Sequence, residues 1–376
     1  MGKCFLLLAV ILGLFISEGM GQGRDREIKV FRGQTSFVKP IKKIGNDKVK
    51  NVVLMIGDGM SLAHMYSAWA LNRGSLNLEN CQAVGLAKTY CYDRLITDSG
   101  AAGTAMATGH KTRYHSIGVD PDGKPLTTLT DLAGAKQKST GIVVTCRLND
   151  ATPAAFCAHN RDREQGDSIV ADYVHCGVDF IFGGGKRYFD ERPDGRNLFE
   201  EMKTLGYQLP SNREELEAIQ GGKVLAVWDK YDLPAPDRRK ELLTESSLKA
   251  LEVLSQNKKG FFLMIEGSQI DDYGHSNRLE PLMEEILDFD RTVGKVFEWA
   301  AADGETLVIV TADHETGGLT LVGGSLGEGE IVGKFSTGGH SGVMVPVFAF
   351  GPGAEQFTGM YENTDIFEKI RRLLKL

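Results

Sequence analysis

Apolar runs alternate with amphipathic stretches along most of the chain after about residue 50. Six short, nearly continuous apolar runs are typical of buried strands: NVVLMI, GIVVTC, VDFIF, FFLMIE, TLVIVT and VPVFAF. Four stretches among them have helical spacing: LTDLAGAKQK, DSIVADYVHC, ELLTESSLKALEVLSQ and LMEEILDFDRTVGKVFEWAAAD. Buried strands that alternate with helices predict an α/β fold, with a mostly parallel, doubly wound sheet covered on both faces.

The end of the chain continues this pattern. IFEKIRRLLKL predicts an amphipathic helix with Ile366, Ile370 and Leu374 on one face. No Pro/Ser-rich linker divides the sequence, so we expect residues 22–376 to form a single domain. The segment 186–239 is more polar and richer in proline, and we interpret it as an insertion on that domain.

Composition excludes some classes of function. The chain has 376 residues, of which 42% are hydrophobic and 25% charged, as in a globular protein with a large core. The formal net charge of −7 argues against a nucleic-acid-binding protein held by phosphate contacts.

The first residues resemble a signal peptide. Lys3 precedes the apolar run CFLLLAVILGLFI, and Gly19 and Gly21 fit a cleavage site before Gln22. The run is shorter than the ~20 residues of a membrane span, although a membrane anchor stays the alternative. We therefore expect residues 1–21 to be removed and the protein to be exported, periplasmic or secreted, and free of the membrane.

Cysteine usage gives little direction. Removal of residues 1–21 leaves five cysteines: Cys81, Cys91, Cys146, Cys157 and Cys176. An odd number leaves at least one thiol unpaired in an oxidising compartment, and the spacings match no zinc finger. We expect most of them in the core, with Cys81–Cys91 the least implausible bridge.

Acidic residues and a histidine follow three of the predicted strands. NVVLMI leads into Asp58 between two glycines, FFLMI ends in Glu266, and TLVIV is followed by Asp313 and His314. An Asp-His pair alone is usually part of a solvated turn. The carboxyl ends of parallel strands meet at one edge, where such sheets bind ligands, so the coincidence at three strand ends predicts a metal site.

Two further segments supply ligand types. EGSQIDDYGH carries Asp271 and His275, whose four-residue spacing places them on one helical face, and both suit zinc. A polar helix start without a metal is the alternative. TGGHSG carries His340 beside glycines that allow a close backbone approach, although a lone histidine in such a loop is more often simply exposed.

The candidate nucleophile lies in TDSGAAGTAMATG. Asp98 or Ser99 could be an ordinary helix N-cap. Ser99 at a helix N-terminus would instead face N–H groups and a dipole that favour phosphate. Since no GxSxG elbow and no nearby histidine in the sequence supports a triad, activation by a metal fits better.

The segment LNDATPAAFCAHNRDRE offers two more groups. The Thr152 hydroxyl is a ligand type that magnesium accepts, and Arg163 has the planar fork that binds two phosphate oxygens. Arg161 and Arg163 could equally form a solvated helix face.

Six motifs together resemble the alkaline phosphatase family. They are IGDG, TDSGAAGTA, DATPAAFCAHNRDR, EGSQIDDYGH, TADHETGG and GGHSG, which follow one another in the family's order from about Asn51 onward. The resemblance implies a three-layer αβα sandwich and a homodimer. It also implies a phosphate monoester hydrolase that works at alkaline pH, forms a phosphoserine and releases inorganic phosphate.

The resemblance also implies the role of each residue, whereas the residues alone do not divide the ligands among metals. One zinc ion would be held by Asp271, His275 and His340, and a second by Asp58, Asp313, His314 and the Ser99 oxygen. One magnesium ion would be held by Asp58, Thr152 and Glu266, with Asp150 holding its waters. Ser99 would accept the phosphate and Arg163 would clamp it.

The chain departs from the family pattern in two places. Asp272 stands where members usually carry Lys, His or Trp, and we expect its carboxylate near the phosphate site or its water shell. Only about 25 residues separate His314 from His340, which predicts a compact version of the fold.

Three other functions compete with this one. A sulfatase of the same superfamily needs a Cys/Ser-x-Pro-x-Arg context that DSGAA lacks, and a phosphodiesterase would not be expected to keep Glu266 and Thr152. A non-catalytic phosphate- or zinc-binding protein would not need Ser99.

Overall fold

The computed structural model describes residues 29–42 and 48–376, so the predicted signal peptide lies outside the described residues. Within these two ranges the chain forms fifteen β-strands: β1 (Lys29–Arg32), β2 (Asn51–Gly57), β3 (Ala83–Lys88), β4 (Ser139–Arg147), β5 (Phe180–Gly184), β6 (Tyr207–Gln208), β7 (Lys223–Val227), β8 (Phe261–Gly267), β9 (Thr306–Thr311), β10 (Glu315–Thr316), β11 (Leu319–Ser325), β12 (Glu330–Phe335), β13 (His340–Ser341), β14 (Val345–Phe350) and β15 (Gly359–Glu362). The same ranges contain thirteen α-helices: α1 (Leu62–Leu71), α2 (Ser99–Thr108), α3 (Leu129–Ala135), α4 (Ala151–Ala154), α5 (Gly166–Asp172), α6 (Arg187–Asp190), α7 (Leu198–Thr204), α8 (Arg213–Glu217), α9 (Pro236–Arg239), α10 (Leu242–Leu254), α11 (Gln269–His275), α12 (Leu279–Asp303) and α13 (Asn363–Leu374).

Ten strands form one large sheet, in the order β15-β3-β14-β9-β2-β8-β4-β5-β7-β6. Every neighbouring pair is parallel except those of β14, which runs antiparallel to β3 and β9. No helix lies between β9 and β14, and without a crossover helix the chain returns in the opposite direction. Helices α10 and α12 pack together on the sheet, and α2, α3 and α13 form a second group against it. The predicted three-layer, mostly parallel α/β architecture is confirmed.

The hydrophobic pattern located most of the sheet's centre. All six predicted runs are strands, β2, β4, β5, β8, β9 and β14, and their residues are almost entirely buried. The four helical stretches correspond to α3, α5, α10 and α12, and α13 buries Ile366, Ile370 and Leu374 as expected.

Smaller sheets lie beside the large one. Strands β1, β12 and β11 form a three-stranded antiparallel sheet, and β10 pairs with β13. All of these except β1 and β13 lie in the short stretch between His314 and His340. The polar segment 186–239 contributes β6 and β7, which extend the large sheet at one edge. Among the described residues, no helix combines the length and the apolar character needed to cross a bilayer.

The disulfide links Cys157 to Cys176, with the two Cα atoms 5.4 Å apart. The expectation of a Cys81–Cys91 bridge is wrong, because Cys91 keeps a free thiol that donates to the backbone oxygen of Arg94. The physical reason is that β3 lies between these two cysteines, and its six extended residues span about 20 Å and hold the two thiols apart. The short helix α5 instead returns the chain, so that Cys176 lies beside Cys157.

Candidate metal centre

The carboxyl ends of three central strands lie level with one another. Gly57 pairs with Gly267 and Ile56 with Thr311, so β2, β8 and β9 end at the same rim. Asp58 therefore lies close to the residues that follow the other two strands. Gly59 lets the chain turn here, since it has a φ of +74°, and a Cβ atom would lie only 2.7 Å from Thr316 Oγ1.

Asp271, His275 and His340 form the first group of candidate ligands, which we call the His275 cluster; one ligand atom from each lies within 4.8 Å of the others. Helix α11 places Asp271 and His275 one turn apart, with His275 Nε2 3.3 Å from Asp271 Oδ2. His340, on β13, brings its Nε2 to 3.1 Å from His275 Nε2. Two imidazole nitrogens and a carboxylate oxygen thus converge from separate segments.

Asp58, Asp313 and His314 form the second group, the His314 cluster, which satisfies the same 4.8 Å limit and is buried. His314 Nε2 lies 3.2 Å from Asp313 Oδ2 and 3.6 Å from Asp58 Oδ1. The rings of His314 and His340 stack with centroids 3.6 Å apart, so the two clusters are direct neighbours.

The histidines of the His275 cluster are held in one tautomer. His275 Nδ1 donates to the backbone oxygen of Gly338 at 2.9 Å, and His340 Nδ1 donates to that of Thr97 at 2.8 Å. A carbonyl oxygen can only accept, so each Nδ1 carries the proton in a neutral ring and each Nε2 presents a lone pair. This is the arrangement in which histidine binds a metal.

A third group, composed of oxygen donors, lies next to the His314 cluster. Thr152 Oγ1 donates to Asp58 Oδ2 at 3.4 Å, and Glu266 lies on β8 directly beside the end of β2. Ser268 Oγ donates to one oxygen of Glu266 at 2.8 Å. Asp150 caps α4 through the N–H of Ala151 and lies close enough to raise the pKa of Glu266 by charge repulsion.

The buried carboxylates of these groups lack compensating positive charge from the part of the chain that the structure describes. Burial, followed by repulsion from Asp313 and Asp271, raises the pKa of Asp58 well above its ordinary value. Burial likewise raises the pKa of Glu266 and of Asp313. Within the described residues, Asp58 Oδ1, Asp313 Oδ2 and Glu266 Oε1 are buried and accept no hydrogen bond. Buried carboxylate oxygens without donors are what a bound cation satisfies, so the residues fit divalent metals.

The histidines respond to the same surroundings. Burial lowers the pKa of His314 to about 4, which keeps its ring neutral. The hydrogen bond that protonated His275 donates to Asp271 raises the pKa of His275 to about 9. Burial alone would raise the pKa of Asp271, but the hydrogen bond from His275 and the nearby His314 and His340 outweigh it and lower the pKa.

Ser99 is the first residue of α2 and lies against the His314 cluster. Its Oγ is 3.1 Å from His314 Nε2, a contact between residues 215 positions apart that local sequence pattern does not reveal. Asp98 is the N-cap, since its side chain accepts from the N–H groups of Gly100 and Ala101. The capping carboxylate therefore fixes the position of the neighbouring hydroxyl.

Arg163 faces this site, whereas Arg161 does not. Arg163 Nη1 donates to Asp98 Oδ2 at 3.0 Å and Nη2 donates to Asp150 Oδ1 at 2.9 Å. Arg161 is exposed and donates to the backbone oxygen of Asp122. Arg147 pairs with Asp150 at 3.3 Å and with Asp232 at 2.9 Å, so it holds Asp150 from the other side.

The sequence profile of the alkaline phosphatase family matches residues 49–334. Alkaline phosphatase 4 of Bacillus subtilis is 32% identical, with 89% of this chain and 90% of that protein covered. The chain belongs to the alkaline phosphatase family. Alkaline phosphatase from the Antarctic bacterium TAB5 has a similar structure, with a TM-score of 0.84 and 37% identity over 87% of this chain and 99% of that one. A variant of that protein, at a TM-score of 0.83, 36% identity and coverages of 88% and 99%, has magnesium bound in its M3 site.

Membership of the alkaline phosphatase family makes this chain a phosphatase, and its site opens to solvent through a cleft of about 880 Å³. Asp98, Asp150, Arg163 and the His275 cluster are among the residues that line this cleft. The cleft is also lined by residues that the sequence analysis did not single out: Arg94, Tyr114, Arg147, Tyr188 and Tyr231. Arg147 ends β4 and Tyr188 lies on α6, whereas the other three lie in loops, and only the fold brings them together.

Asp272 lies on α11 at the margin of the site. Part of its side chain is exposed to solvent. Partial withdrawal from water, followed by repulsion from Asp150 and Asp271, raises the pKa of Asp272 to about 7. The carboxylates of Asp150 and Asp271 are therefore within electrostatic range of Asp272.

Proposed function

We propose that this phosphatase hydrolyses phosphate monoesters through a phosphoserine formed on Ser99, with two zinc ions and one magnesium ion per subunit. One observation carries the proposal: Ser99 Oγ, at the start of α2, lies 3.1 Å from the metal-facing nitrogen of His314. The His275 cluster lies directly beside it, so the hydroxyl has candidate ligands for two cations within one site.

The ligand types support a division of the metals. The His275 cluster and the His314 cluster combine imidazole nitrogen with carboxylate oxygen, which suits zinc. Asp58, Thr152 and Glu266 offer only oxygen, with Asp150 nearby for bound water, which suits magnesium. Bound zinc would supply the positive charge that lowers the pKa of a coordinated hydroxyl and offsets charge on phosphoryl oxygens.

Arg163 would position the phosphate group, and Ser99 would accept it and then release it to water. Arg163 would bind phosphate oxygens through the N–H donors that Asp98 and Asp150 do not use. The Ser99 Oγ–phosphorus bond forms as the ester P–O bond breaks and the alcohol leaves. Water then attacks phosphorus, the Oγ–phosphorus bond breaks, and inorganic phosphate is released while Ser99 regains its proton.

The test is to trap the intermediate. Wild-type protein mixed with labelled phosphate at acidic pH should carry covalent label, and Ser99→Ala should carry none while keeping its fold and zinc content. Ser246→Ala, which removes a buried hydroxyl in α10, is the matched control and should label normally. Label on Ser99→Ala, on any residue, would show that Ser99 is not the acceptor.

Two further measurements separate the competing mechanisms. Faster hydrolysis of mono- than of bis-nitrophenyl phosphate distinguishes a monoesterase from a diesterase. The Ser99–His314 contact would also suit a metal-free hydrolase with a histidine base. Activity that survives complete removal of zinc and magnesium would favour that mechanism over ours.

We also propose that the chain is exported after cleavage before Gln22. The proposal rests on the sequence of residues 1–21, and the Cys157–Cys176 disulfide supports it because disulfides persist in oxidising compartments. Sequencing the N-terminus of exported protein should give Gln22 as the first residue. An uncleaved N-terminus would contradict the proposal.

A homodimer is the proposed assembly, and one apolar surface supports it. Leu62, Tyr66 and Leu326 are 49%, 58% and 47% exposed. Tyr66 stacks on Trp69 beside a groove of about 320 Å³ that Leu326 also lines. Exposed apolar patches of this kind mark interaction surfaces, and a second copy of this chain is the occupant we propose.

A further inference from the structure

Thr316 lies between the two candidate zinc clusters and contacts both. Its side chain is buried, and its Oγ1 is 3.2 Å from His314 Nδ1. The same Oγ1 donates a hydrogen bond to Asp271 Oδ1. One hydroxyl therefore joins a ligand of the His314 cluster to a ligand of the His275 cluster.

The backbone of Thr316 is held by the same neighbourhood. Its N–H donates to the backbone oxygen of Gly59 at 3.1 Å, next to Asp58. Thr316 also pairs directly with His340 across the β10–β13 ladder. Segments that carry four of the six cluster residues thus determine where this hydroxyl lies.

The direction of the hydrogen bonds follows from chemistry. A hydroxyl has one hydrogen, and the carboxylate of Asp271 can only accept. With that hydrogen donated to Asp271, Thr316 Oγ1 must accept the hydrogen bond from His314 Nδ1. His314 then carries its proton on Nδ1 and presents the Nε2 lone pair to Ser99, Asp58 and Asp313.

Thr316 thereby does for His314 what backbone carbonyls do for His275 and His340. A carbonyl fixes a tautomer by itself, but a hydroxyl does so only if its own hydrogen has another acceptor. Asp271 is that acceptor, so the tautomer of His314 depends on a ligand of the other cluster. The reverse also holds, because the hydroxyl fixes one oxygen of Asp271.

We infer that Thr316 is a positioning residue that couples the two zinc sites, by fixing His314 and Asp271 through one shared hydroxyl. This inference rests on the proposed two-zinc site. Loss of a group that orients metal ligands typically weakens metal binding about 10- to 100-fold. Thr316→Val should therefore weaken zinc binding at both sites by about that factor.

The experiment measures both zinc affinities by competition with a chromophoric chelator. Thr316→Val keeps the shape and removes the hydroxyl, Thr316→Ser keeps the hydroxyl and removes the methyl group, and Thr316→Ala removes both. We expect Thr316→Ser to bind zinc like wild type and Thr316→Val to bind it as weakly as Thr316→Ala. If Thr316→Val binds zinc like wild type and Thr316→Ser binds it like Thr316→Ala, packing of the methyl group determines zinc affinity and the inference is wrong.

Thr311→Val is the matched control. Thr311 is buried at the end of β9, and its hydroxyl donates to the backbone oxygen of Pro346 at 2.9 Å and not to a cluster residue. Its loss should lower stability without changing zinc affinity. Weakening at one site alone in Thr316→Val would overturn the coupling between sites.

A second measurement does not require the valine variant to fold. In zinc-loaded wild-type protein labelled with ¹⁵N-histidine, His314 should show a protonated, hydrogen-bonded Nδ1. An unprotonated Nδ1 would overturn the inference. If wild-type protein binds no zinc, the proposed function fails with it; if it binds two zinc ions and Thr316→Val binds both as tightly, only this inference fails.

Discussion

At the scale of single residues, Arg163 is expected to bind phosphate without carrying out the chemistry. Arg163→Ala should weaken inhibition by inorganic phosphate about tenfold or more, since each hydrogen bond to a charged group contributes about 1.5–3 kcal/mol. Turnover should remain measurable because this change leaves the proposed metal ligands in place. Arg161→Ala is the control, as Arg161 is exposed and its fork faces Asp122. If Arg161→Ala weakened phosphate inhibition more than Arg163→Ala, Arg163 would not be the residue that binds phosphate.

Asp272 should repel a phosphate dianion from the margin of the site. Its carboxylate lies within electrostatic range of Asp150 and Asp271, and part of it is exposed. Asp272→Lys should tighten phosphate inhibition, by up to about five-fold, the range for exposed charge pairs. Tighter binding should also slow the release of product phosphate from Asp272→Lys, so inhibition and the steady-state rate should be measured together.

The control for Asp272 is Asp237→Lys, which makes the same change of charge at an exposed position on α9. It should leave phosphate inhibition unchanged. Equal effects from the two variants would mean that overall charge, and not the position of Asp272, governs phosphate binding. No effect from Asp272→Lys, with metal content intact, would remove Asp272 from the site.

At the scale of elements, the N-cap of α2, Asp98, lies next to Ser99, the proposed nucleophile. Asp98 caps α2, accepts from the N–H of His115 and binds Arg163. Asp98→Ala should lower the free energy of unfolding by about 1 kcal/mol or more, the usual value of a cap. Asp98→Asn should retain much of that stability, because asparagine caps as well as aspartate. Both variants should bind phosphate more weakly, since both release Arg163.

Asn212→Ala calibrates this experiment. Asn212 caps α8 through the N–H of Glu215, far along the sheet from the site. It should lower stability in urea unfolding and leave phosphate binding unchanged. If Asp98→Asn and Asp98→Ala were equally unstable, capping would not be the contribution of Asp98 to α2.

At the scale of the whole molecule, metal removal should make stability fall as pH rises. Without metal, burial raises the pKa of Glu266 to about 8, and the hydrogen bond to Asp271 raises that of His275 to about 9. Both folded-state pKa values lie above the unfolded ones, so the metal-free folded state binds more protons. The stability that Glu266 contributes is lost between about pH 4.5 and 8, and that of His275 between about 6.5 and 9, so both contributions decline from about pH 6.5 upward.

Thermal unfolding at several pH values tests this expectation. Bound zinc and magnesium offset the same charges, so the difference in Tm between metal-loaded and metal-free protein should widen over that pH range. His314 opposes this trend mainly below about pH 6.5, because its pKa is lowered to about 4 in the folded state and only the unfolded state binds its proton between those two values. A difference that narrows toward alkaline pH would contradict the proposed ligands.

Assembly is the second property of the whole molecule to test. Wild-type protein should sediment as a dimer, and Tyr66→Arg should shift it to monomers by placing a charge in the apolar surface beside Trp69. Tyr92→Arg is the control, because Tyr92 is equally exposed, at 58%, and lies outside that surface. A Tyr66→Arg dimer as stable as wild type would exclude this surface as the interface.

Local pattern was sufficient for the strands at the centre of the sheet. They are buried on both faces, so β2, β8 and β9 are continuous apolar runs, and the residues after them were identifiable as one rim. Strand β3 was missed as an element, and helix α2 was expected only from its N-cap candidates Asp98 and Ser99, because the hydrophobic patterns of both elements are ambiguous. β3 alternates buried and exposed positions over only six residues, and α2 is buried all round, so it has no amphipathic periodicity.

The sequence by itself therefore determined the layered fold and the residue types at the strand ends, because burial in a parallel sheet leaves a local imprint. Local pattern could not divide the ligands, which only the family resemblance had separated, and the tertiary structure decided the two clusters, the Ser99–His314 contact and the Cys157–Cys176 pair. These contacts join residues that no local interaction holds together. Thr316 illustrates the limit, since a threonine in a turn is unremarkable until folding places Asp271 and His314 on either side of its hydroxyl.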